Sequence, residues 1–409
     1  MDSASDLTLP LPAKGSIVSS IRQSCKDARL AANIQVHPES ISALLKSPLF
    51  TETYLKLSQI HGVAMPLQFP TVASEINVIS VLSILNFAHS YRVPLKKATG
   101  RGAYDTMRAL IFGLYLSSND EEDLLSAKGL KNLTSGRVAE LMQLSGHLHI
   151  EQAHPTIPGL TIGQLGGPLY ELVTEVTNVL NETGAILVTR GYPNLGEFVL
   201  HALKMGQTSE GGPVDPEVVL DEVIRAFPAF RDVGVYNGKE VFVFKKVLFM
   251  LHALVMRFGN ATPPKIPLPD TSQLPIFSDN VIPSMLVHFG ILDLSAANVP
   301  KLREAAPFGT LAVAANLHYV PSGEKKSNSS EMMAKGPELS AEEAYVMRAA
   351  AVDACEMIVE AAKSLEEKTE VLRSLDLPGL DGWLWTVAKE GRFRSDLSRF
   401  RQAGICVMY

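Results

Sequence analysis

Apolar residues recur at three- and four-residue intervals along most of this chain, and that spacing commits it to helices. The stretch 16–33, SIVSSIRQSCKDARLAAN, is an amphipathic helix by this pattern, and 39–60 reads as a helix pair. Core helices are expected over 102–118 and around 247–256, and others over 169–189, 195–205, 217–226 and 282–290. One more follows Thr134 or Ser135 within 133–150. The acidic run 119–125 reads as a helix start capped by Asn119. Ser340-x-x-Glu343 forms a capping box that opens a long Ala-rich helix to about residue 368. Residues 75–87 fit a strand or a buried helix, since periodicity alone does not separate the two. The clearest strand signal is 233–245, two apolar runs around Asn237-Gly238, the dipeptide of a type I′ hairpin.

Loops are expected at 154–168 and 206–216, and an extended Pro-rich connection at 260–275. The polar segment 321–338 reads as a mobile surface insertion, and the apolar ending at 404–409 as a docked tail. The fold class expected is mainly α: a single helical domain over 16–409 behind a tail at 1–15, with a small β-hairpin or ribbon.

Composition narrows the function. With 37 Lys and Arg against 43 Asp and Glu the formal charge is −6, which speaks against direct nucleic-acid binding through a basic surface. Three cysteines, Cys25, Cys355 and Cys406, make neither a disulfide framework nor a zinc site. A reducing compartment, cytoplasmic or also nuclear, is expected. The first residues carry acids and prolines where a secretory signal has a basic start and an apolar run, and no uncharged apolar stretch reaches the length of a membrane span, so no membrane partner is expected. Nucleotide-binding glycine loops, G-x-S-x-G and H-E-x-x-H do not occur. His147-x-His149 with His154 lacks carboxylate or cysteine neighbours at helical spacing, so no metal is assigned.

Four short stretches combine aromatic, polar and acidic residues in apolar settings. Phe277-Ser278-Asp279-Asn280-Val281-Ile282-Pro283 places an acid just ahead of a helix, where its plain role is an N-cap. Phe230-Arg231-Asp232 precedes the hairpin and Lys245-Lys246, and by itself reads as a surface ion pair. Asp381-Gly382-Trp383-Leu384-Trp385 holds both tryptophans and reads as an aromatic anchor. Leu85-Asn86-Phe87-Ala88-His89 is followed by Gly102-Ala103-Tyr104.

In this order the four stretches resemble the queuosine salvage proteins, the queuosine 5′-phosphate N-glycosylase/hydrolases. The resemblance is clearest in LNETGAILV (180–188), AFPAFRDVGVYNGKEVFVFKK (226–246), LPIFSDNVIPSMLVHFGIL (274–292), LDGWLWTVA (380–388) and GICVMY (404–409). It covers about 16–409, with inserts near 119–165 and 304–338. It implies a fold similar to the helical DNA glycosylases, no metal or organic cofactor, and hydrolysis of queuosine 5′-monophosphate to release queuine for tRNA modification. The partner is then a small-molecule nucleotide.

Through the resemblance, Asp279 becomes the catalytic carboxylate and Phe277 an aromatic base contact. Asp381 would grip the base edge, and Tyr104 or Trp385 would stack on its face. Lys245 or Arg231 would meet the phosphate. His89 and Asn86 are further substrate contacts, although a core role for His89 fits equally. The chain departs from the family pattern at Ser83 and Thr386, where acids are usual, at Ala88-His89-Ser90, and at Asn280-Val281. These departures leave two alternatives open: a different modified nucleotide as substrate, or a non-catalytic binding protein that kept the fold.

Overall fold

Residues 72–84, VASEINVISVLSI, have no polar face, and a helix apolar all round belongs in the middle of a protein. In the computed structural model, which describes residues 9–58, 65–119, 122–209, 211–304, 335–366, 369–390, 393, 397 and 399–402, every residue from Glu75 to Ile84 is buried. The stretch compatible with strand or helix is thus a helix, started by the Thr71 side chain, which accepts from the Ser74 N–H.

The described residues contain 17 α-helices. They are α1 (Ile17–Ala31), α2 (Pro38–Lys46), α3 (Pro48–Leu57), α4 (Val72–Ile84), α5 (Arg92–Thr99), α6 (Ala103–Ser117), α7 (Ala127–Lys131), α8 (Ser135–Met142), α9 (Pro168–Arg190), α10 (Leu195–Met205), α11 (Pro216–Ala226), α12 (Lys245–Phe258), α13 (Val281–His288), α14 (Pro300–Glu304), α15 (Ala341–Ser364), α16 (Glu370–Arg373) and α17 (Leu377–Val387). Four two-stranded pairings accompany them. These are β1 (Gln35–Val36) with β6 (Leu292–Asp293), β2 (His149–Ala153) with β3 (Thr161–Leu165), β4 (Val233–Tyr236) with β5 (Lys239–Phe242), and β7 (Lys335–Leu339) with β8 (Arg399–Gln402).

The expected mainly α architecture is what the chain adopts, and one hydrophobic cluster runs from Ile17 to Phe400. Helices α6, α10 and α12 pack around α4. The polar side chains drawn in with α4 are answered: Asn77 donates to the Leu125 carbonyl and accepts from the Gly196 N–H, and Glu75 pairs with Arg257. Gly196 is needed there, because a Cβ would stand 2.4 Å from the Ala73 carbonyl oxygen. No single described helix is long and apolar enough to cross a membrane; α4 passes such a test only together with 89–99, at a bend of 71°, and its surface is already covered by protein.

The hairpin at 233–245 forms with Val233 opposite Phe242 and Tyr236 opposite Lys239. Asn237 and Gly238 take φ of 48° and 72°, the left-handed pair of a type I′ turn. The Ser340–Glu343 capping box is present, and its helix α15 ends at Ser364, short of the expected end.

Three expectations fail for physical reasons. The acidic run does not start a helix at its described residues: Asn119 Oδ1 accepts from the Glu122 N–H, and α7 begins only at Ala127, behind Ser126. The region read as the end of a helix and a Pro/Gly loop pairs instead as β2 and β3, every residue of which is exposed. This hairpin buries no face, so it leaves no hydrophobic signature to read. Residues 335–338, placed in a surface insertion, belong to β7, which pairs parallel with β8. The remainder of that insertion (321–334) and the tail 404–409 lie outside the described residues.

Candidate active site

Five separated segments converge on one cavity. The end of α4 and the following turn supply Asn86 and His89, the start of α6 supplies Tyr104, and the first turns of α12 supply Lys245 and Phe249. The extended approach to α13 supplies Phe277 and Asp279, and α17 supplies Asp381 and Trp385. The enclosed space is about 40 Å³, enough for only a few waters at roughly 10–15 Å³ each.

Helical register explains part of the set. Asp381 and Trp385 stand four residues apart on one face of α17, as Lys245 and Phe249 do on α12. The two residues entering the site from turns are each preceded by a strained backbone. Ala88 before His89 has φ 82° and Phe244 before Lys245 has φ 48°, left-handed values that cost a residue with a Cβ on the order of 1–3 kcal/mol. Both positions are fully enclosed, so the surrounding packing imposes them.

Asp279 fills two roles with its two oxygens. Oδ1 accepts from the backbone N–H of Val281 at 2.6 Å and of Ile282 at 3.4 Å, which answers the N-terminus of α13. The plain N-cap role is therefore real, with Asn280 next along the chain formally occupying the cap position. Oδ2 turns the other way, 3.6 Å from His89 Nε2. The Lys245 ammonium lies 3.1 Å from that same Nε2 and donates to the Asn86 backbone and side-chain oxygens at 3.0 and 3.3 Å.

These contacts set the charges. Burial, then the neighbouring Lys245 cation, push His89 down to about 3. His89 is therefore neutral near pH 7, with Nε2 accepting from Lys245. Burial also pulls Lys245 down, to about 8, against the raising influence of Asp279. For Asp279, burial favours the neutral acid, but His89, Lys245 and the Val281 N–H outweigh it and hold the carboxyl below its ordinary value. Since the His89 ring is neutral, Lys245 is the lasting charge partner. Asp381 goes the opposite way. Burial, then repulsion from Asp279, push it well above the ordinary carboxylate range, although its Oδ1 accepts from the Phe277 N–H at 3.2 Å. One cavity thus pushes two carboxyls in opposite directions, Asp279 toward the ionised and Asp381 toward the protonated form, the kind of split that lets two like groups serve as base and acid.

Aromatic rings form the walls. Phe277 packs edge-on to Phe249 at 6.3 Å, and Tyr104 edge-on to Trp385 at 5.8 Å. The other tryptophan, Trp383, is fully buried and donates to Thr53 Oγ1 at 2.8 Å, which is the aromatic anchor expected of that motif.

The structure brings together eight of the nine residues singled out from sequence; Arg231 is the exception. Its guanidinium donates to the carbonyls of Ile224 and Arg225, and it stands outside the cavity lining. Its neighbour Asp232 was read as half of a surface pair, but it is fully buried and meets Arg348 of α15. That pairing is bidentate, at 2.9 and 2.5 Å, and Asp232 also accepts from Tyr345 Oη and from the Lys245 N–H. Arg348 in turn donates to the carbonyl of Ser278, the residue before Asp279. One buried pair therefore ties down the backbone on either side of the cavity. Gly234 allows it, because a Cβ there would overlap the Tyr345 ring at 2.2 Å.

Sequence reasoning missed Phe249, Arg348 and Lys389. Phe249 was legible as the residue one turn beyond Lys245. Lys389 follows Trp385 by the same interval, and its Nζ lies 2.7 Å from the centre of the Trp385 ring. Arg348 carried no local signal, since its partner is 116 residues away. The two positions that lack family acids do not reach the cavity lining: Ser83 donates to the Ile79 carbonyl inside α4, and Thr386 to the Leu57 carbonyl at 3.5 Å.

Comparison with known proteins adds an independent line. The profile of the queuosine salvage protein family matches residues 71–310. A Sphaerobacter thermophilus protein named queuosine 5′-phosphate N-glycosylase/hydrolase is 26% identical over 237 residues, 57% of this chain and 62% of that protein. One of the same name from Dictyostelium discoideum is 26% identical over 144 residues, 35% of this chain and 40% of that protein. The chain thus matches less than two thirds of the length of these relatives. Within the cavity, Asp381 and Trp385 lie beyond the matched stretch and join the other residues only through the fold.

Proposed function

The chain belongs to the queuosine salvage protein family, and from that premise we propose that it hydrolyses the N-glycosidic bond of queuosine 5′-monophosphate, releasing queuine and ribose 5-phosphate. The observation that carries this reading is the pair of buried carboxyls on one aromatic-walled cavity, in surroundings that push Asp279 toward the ionised and Asp381 toward the protonated form. Both relatives bear the name of that activity.

Breaking the C1′–N bond leaves positive charge on the ribose and an electron pair on the base. Ionised Asp279 stabilises the sugar cation through Oδ2, as a carboxylate does in glycoside hydrolysis. Protonated Asp381 donates a hydrogen bond, and then its proton, to the departing heterocycle. Phe277 and Trp385 bracket the flat base. Water adds at C1′ and gives up a proton, which restores the starting protonation states. Lys245, itself held by Asn86, holds His89 in the orientation that faces Asp279.

Incubating the protein with queuosine 5′-monophosphate and following queuine by mass spectrometry tests the proposal. Asp279→Asn should lower release by at least about a hundred- to a thousandfold, the usual effect of removing a transition-state charge partner. Circular dichroism should show the variant folded, since Asn Oδ1 still accepts from Val281, although the lost charge partner of Lys245 lowers its stability. Unchanged turnover in that variant removes Asp279 from the mechanism. No release by the parent, set beside release from another modified nucleotide, moves the substrate assignment.

A further inference from the structure

The β2–β3 hairpin is well formed yet covers nothing. Five of the twelve exposed large hydrophobic side chains among the described residues lie within residues 150–165. They are Ile150, Ile157, Leu160, Ile162 and Leu165, each 40–54% exposed. Single apolar residues are ordinary on a surface, but a cluster on one projecting arm marks a contact. The tip is held from within, since His154 Nδ1 accepts from the N–H groups of Thr156 and Ile157 at 3.3 and 3.1 Å. A two-stranded ribbon with no covered face is marginal by itself.

The backbone shows which edge is open. The His154 N–H donates to the Leu160 carbonyl and the Gly166 N–H to the Leu148 carbonyl. Those two bonds fix the alternation of the antiparallel ladder between them. Ile162 and Gln164 turn their backbone groups inward to β2, while Thr161, Gly163 and Leu165 turn theirs outward. Edge strands ordinarily carry a charge, a proline or a bulge that discourages further pairing. β2 carries Glu151, but β3, Thr161-Ile162-Gly163-Gln164-Leu165, has none of the three.

This strand is also its own complement. About a two-fold axis at Gly163, Thr161 stands opposite Leu165 of the partner subunit, and Ile162 opposite Gln164 of the partner subunit. Every outward residue then exchanges its backbone bonds with the other copy, and no like charges meet. Ile150 and Ile162 share one face of the hairpin, so the joined sheet gathers these side chains from both copies on one side. An uncharged strand offers a foreign protein no electrostatic code, whereas two-fold pairing answers both open edges at once. We infer that β3 is a self-association edge: two copies of this chain pair antiparallel through Thr161–Leu165 and join their hairpins into one four-stranded sheet.

Sedimentation velocity of the full chain over a concentration series tests this. The parent should pass from monomer to dimer as concentration rises. Gly163→Pro removes an outward N–H and sets a ring in the path of the second strand while the β2–β3 ladder keeps its bonds, so it should abolish the dimer. Ile162→Lys with Gln164→Lys puts like charges opposite each other and should also abolish it. Ile162→Lys with Gln164→Glu turns the same contacts into ion pairs and should retain it at low salt. Circular dichroism checks that each variant is folded. A parent that stays monomeric, or a dimer indifferent to Gly163→Pro and to the double lysine variant, overturns the inference. Equal dissociation of the two double variants, or open-ended assembly in place of a closed dimer, overturns it as well.

Discussion

Two buried ionic clusters lie close together in this fold, and they differ in how completely their charges are answered. In the first, both oxygens of Asp232 accept two hydrogen bonds each, from Arg348, Tyr345 and the Lys245 N–H, and the third guanidinium contact goes to Ser278. In the second, Asp279 Oδ2 has, among the described residues, the His89 ring at 3.6 Å. The second oxygen of Asp381 accepts nothing among the described residues, and a neutral histidine stands between a cation and an anion. Saturated pairing makes a fixed point. Incomplete pairing leaves groups whose protonation responds to whatever enters. The first cluster also positions the second, since it grips the residue before Asp279 and the N-terminus of the Lys245 helix.

That contrast can be broken at either end. The largest effect on stability is expected from Arg348→Met, which strands a buried carboxylate and should cost about 3–5 kcal/mol. The double variant Asp232→Leu with Arg348→Met should be milder than this single change, because no charge is left unpaired. Urea denaturation measures both, and a single variant as stable as the parent would show that the pair is not a scaffold. Asp381→Asn attacks the other cluster. Asparagine keeps an acceptor for Phe277 and a donor for the base but has no proton to transfer, so base release should fall by about 10²–10⁴-fold, the usual worth of an acid. A much smaller drop would reduce Asp381 to a hydrogen-bonding contact.

The smallest expected effect concerns pH. His89 sits at about 3 when folded, against an ordinary value near 6.5. The unfolded chain therefore binds more protons than the folded one between those values. Stability that depends on keeping His89 neutral is complete above about pH 6.5 and is lost as the pH falls toward 3. In His89→Asn the dependence of unfolding free energy on pH should be shallower in that window, by at most about 1.4 kcal/mol per pH unit. Superimposable curves for the two proteins would mean that His89 charges freely and that its contact with Lys245 is weaker than the geometry indicates.

Much of the site was legible as residue types. Asp279 ahead of a helix, Asp381 four residues before Trp385, and Asn86 with His89 after an apolar run were all visible as local patterns. What the patterns left undivided was the choice between an ordinary and a chemical role. Asp279 turns out to do both, one oxygen on the helix end and one toward His89. Arg231 and Asp232 show the limit most plainly. Adjacent in sequence, they were read as one surface pair, yet one binds local carbonyls and the other a guanidinium 116 residues away.

The sequence by itself determined most of the amphipathic helices, because a 3.6-residue apolar period has a single low-energy way to bury its stripe, and the Asn-Gly turn, because few dipeptides accept two left-handed residues. Only the tertiary structure decided which carboxyl is charged. Ionisation in a buried cavity depends on distances between side chains that lie tens to hundreds of residues apart, and those distances exist only once α4, α12, α13 and α17 have packed.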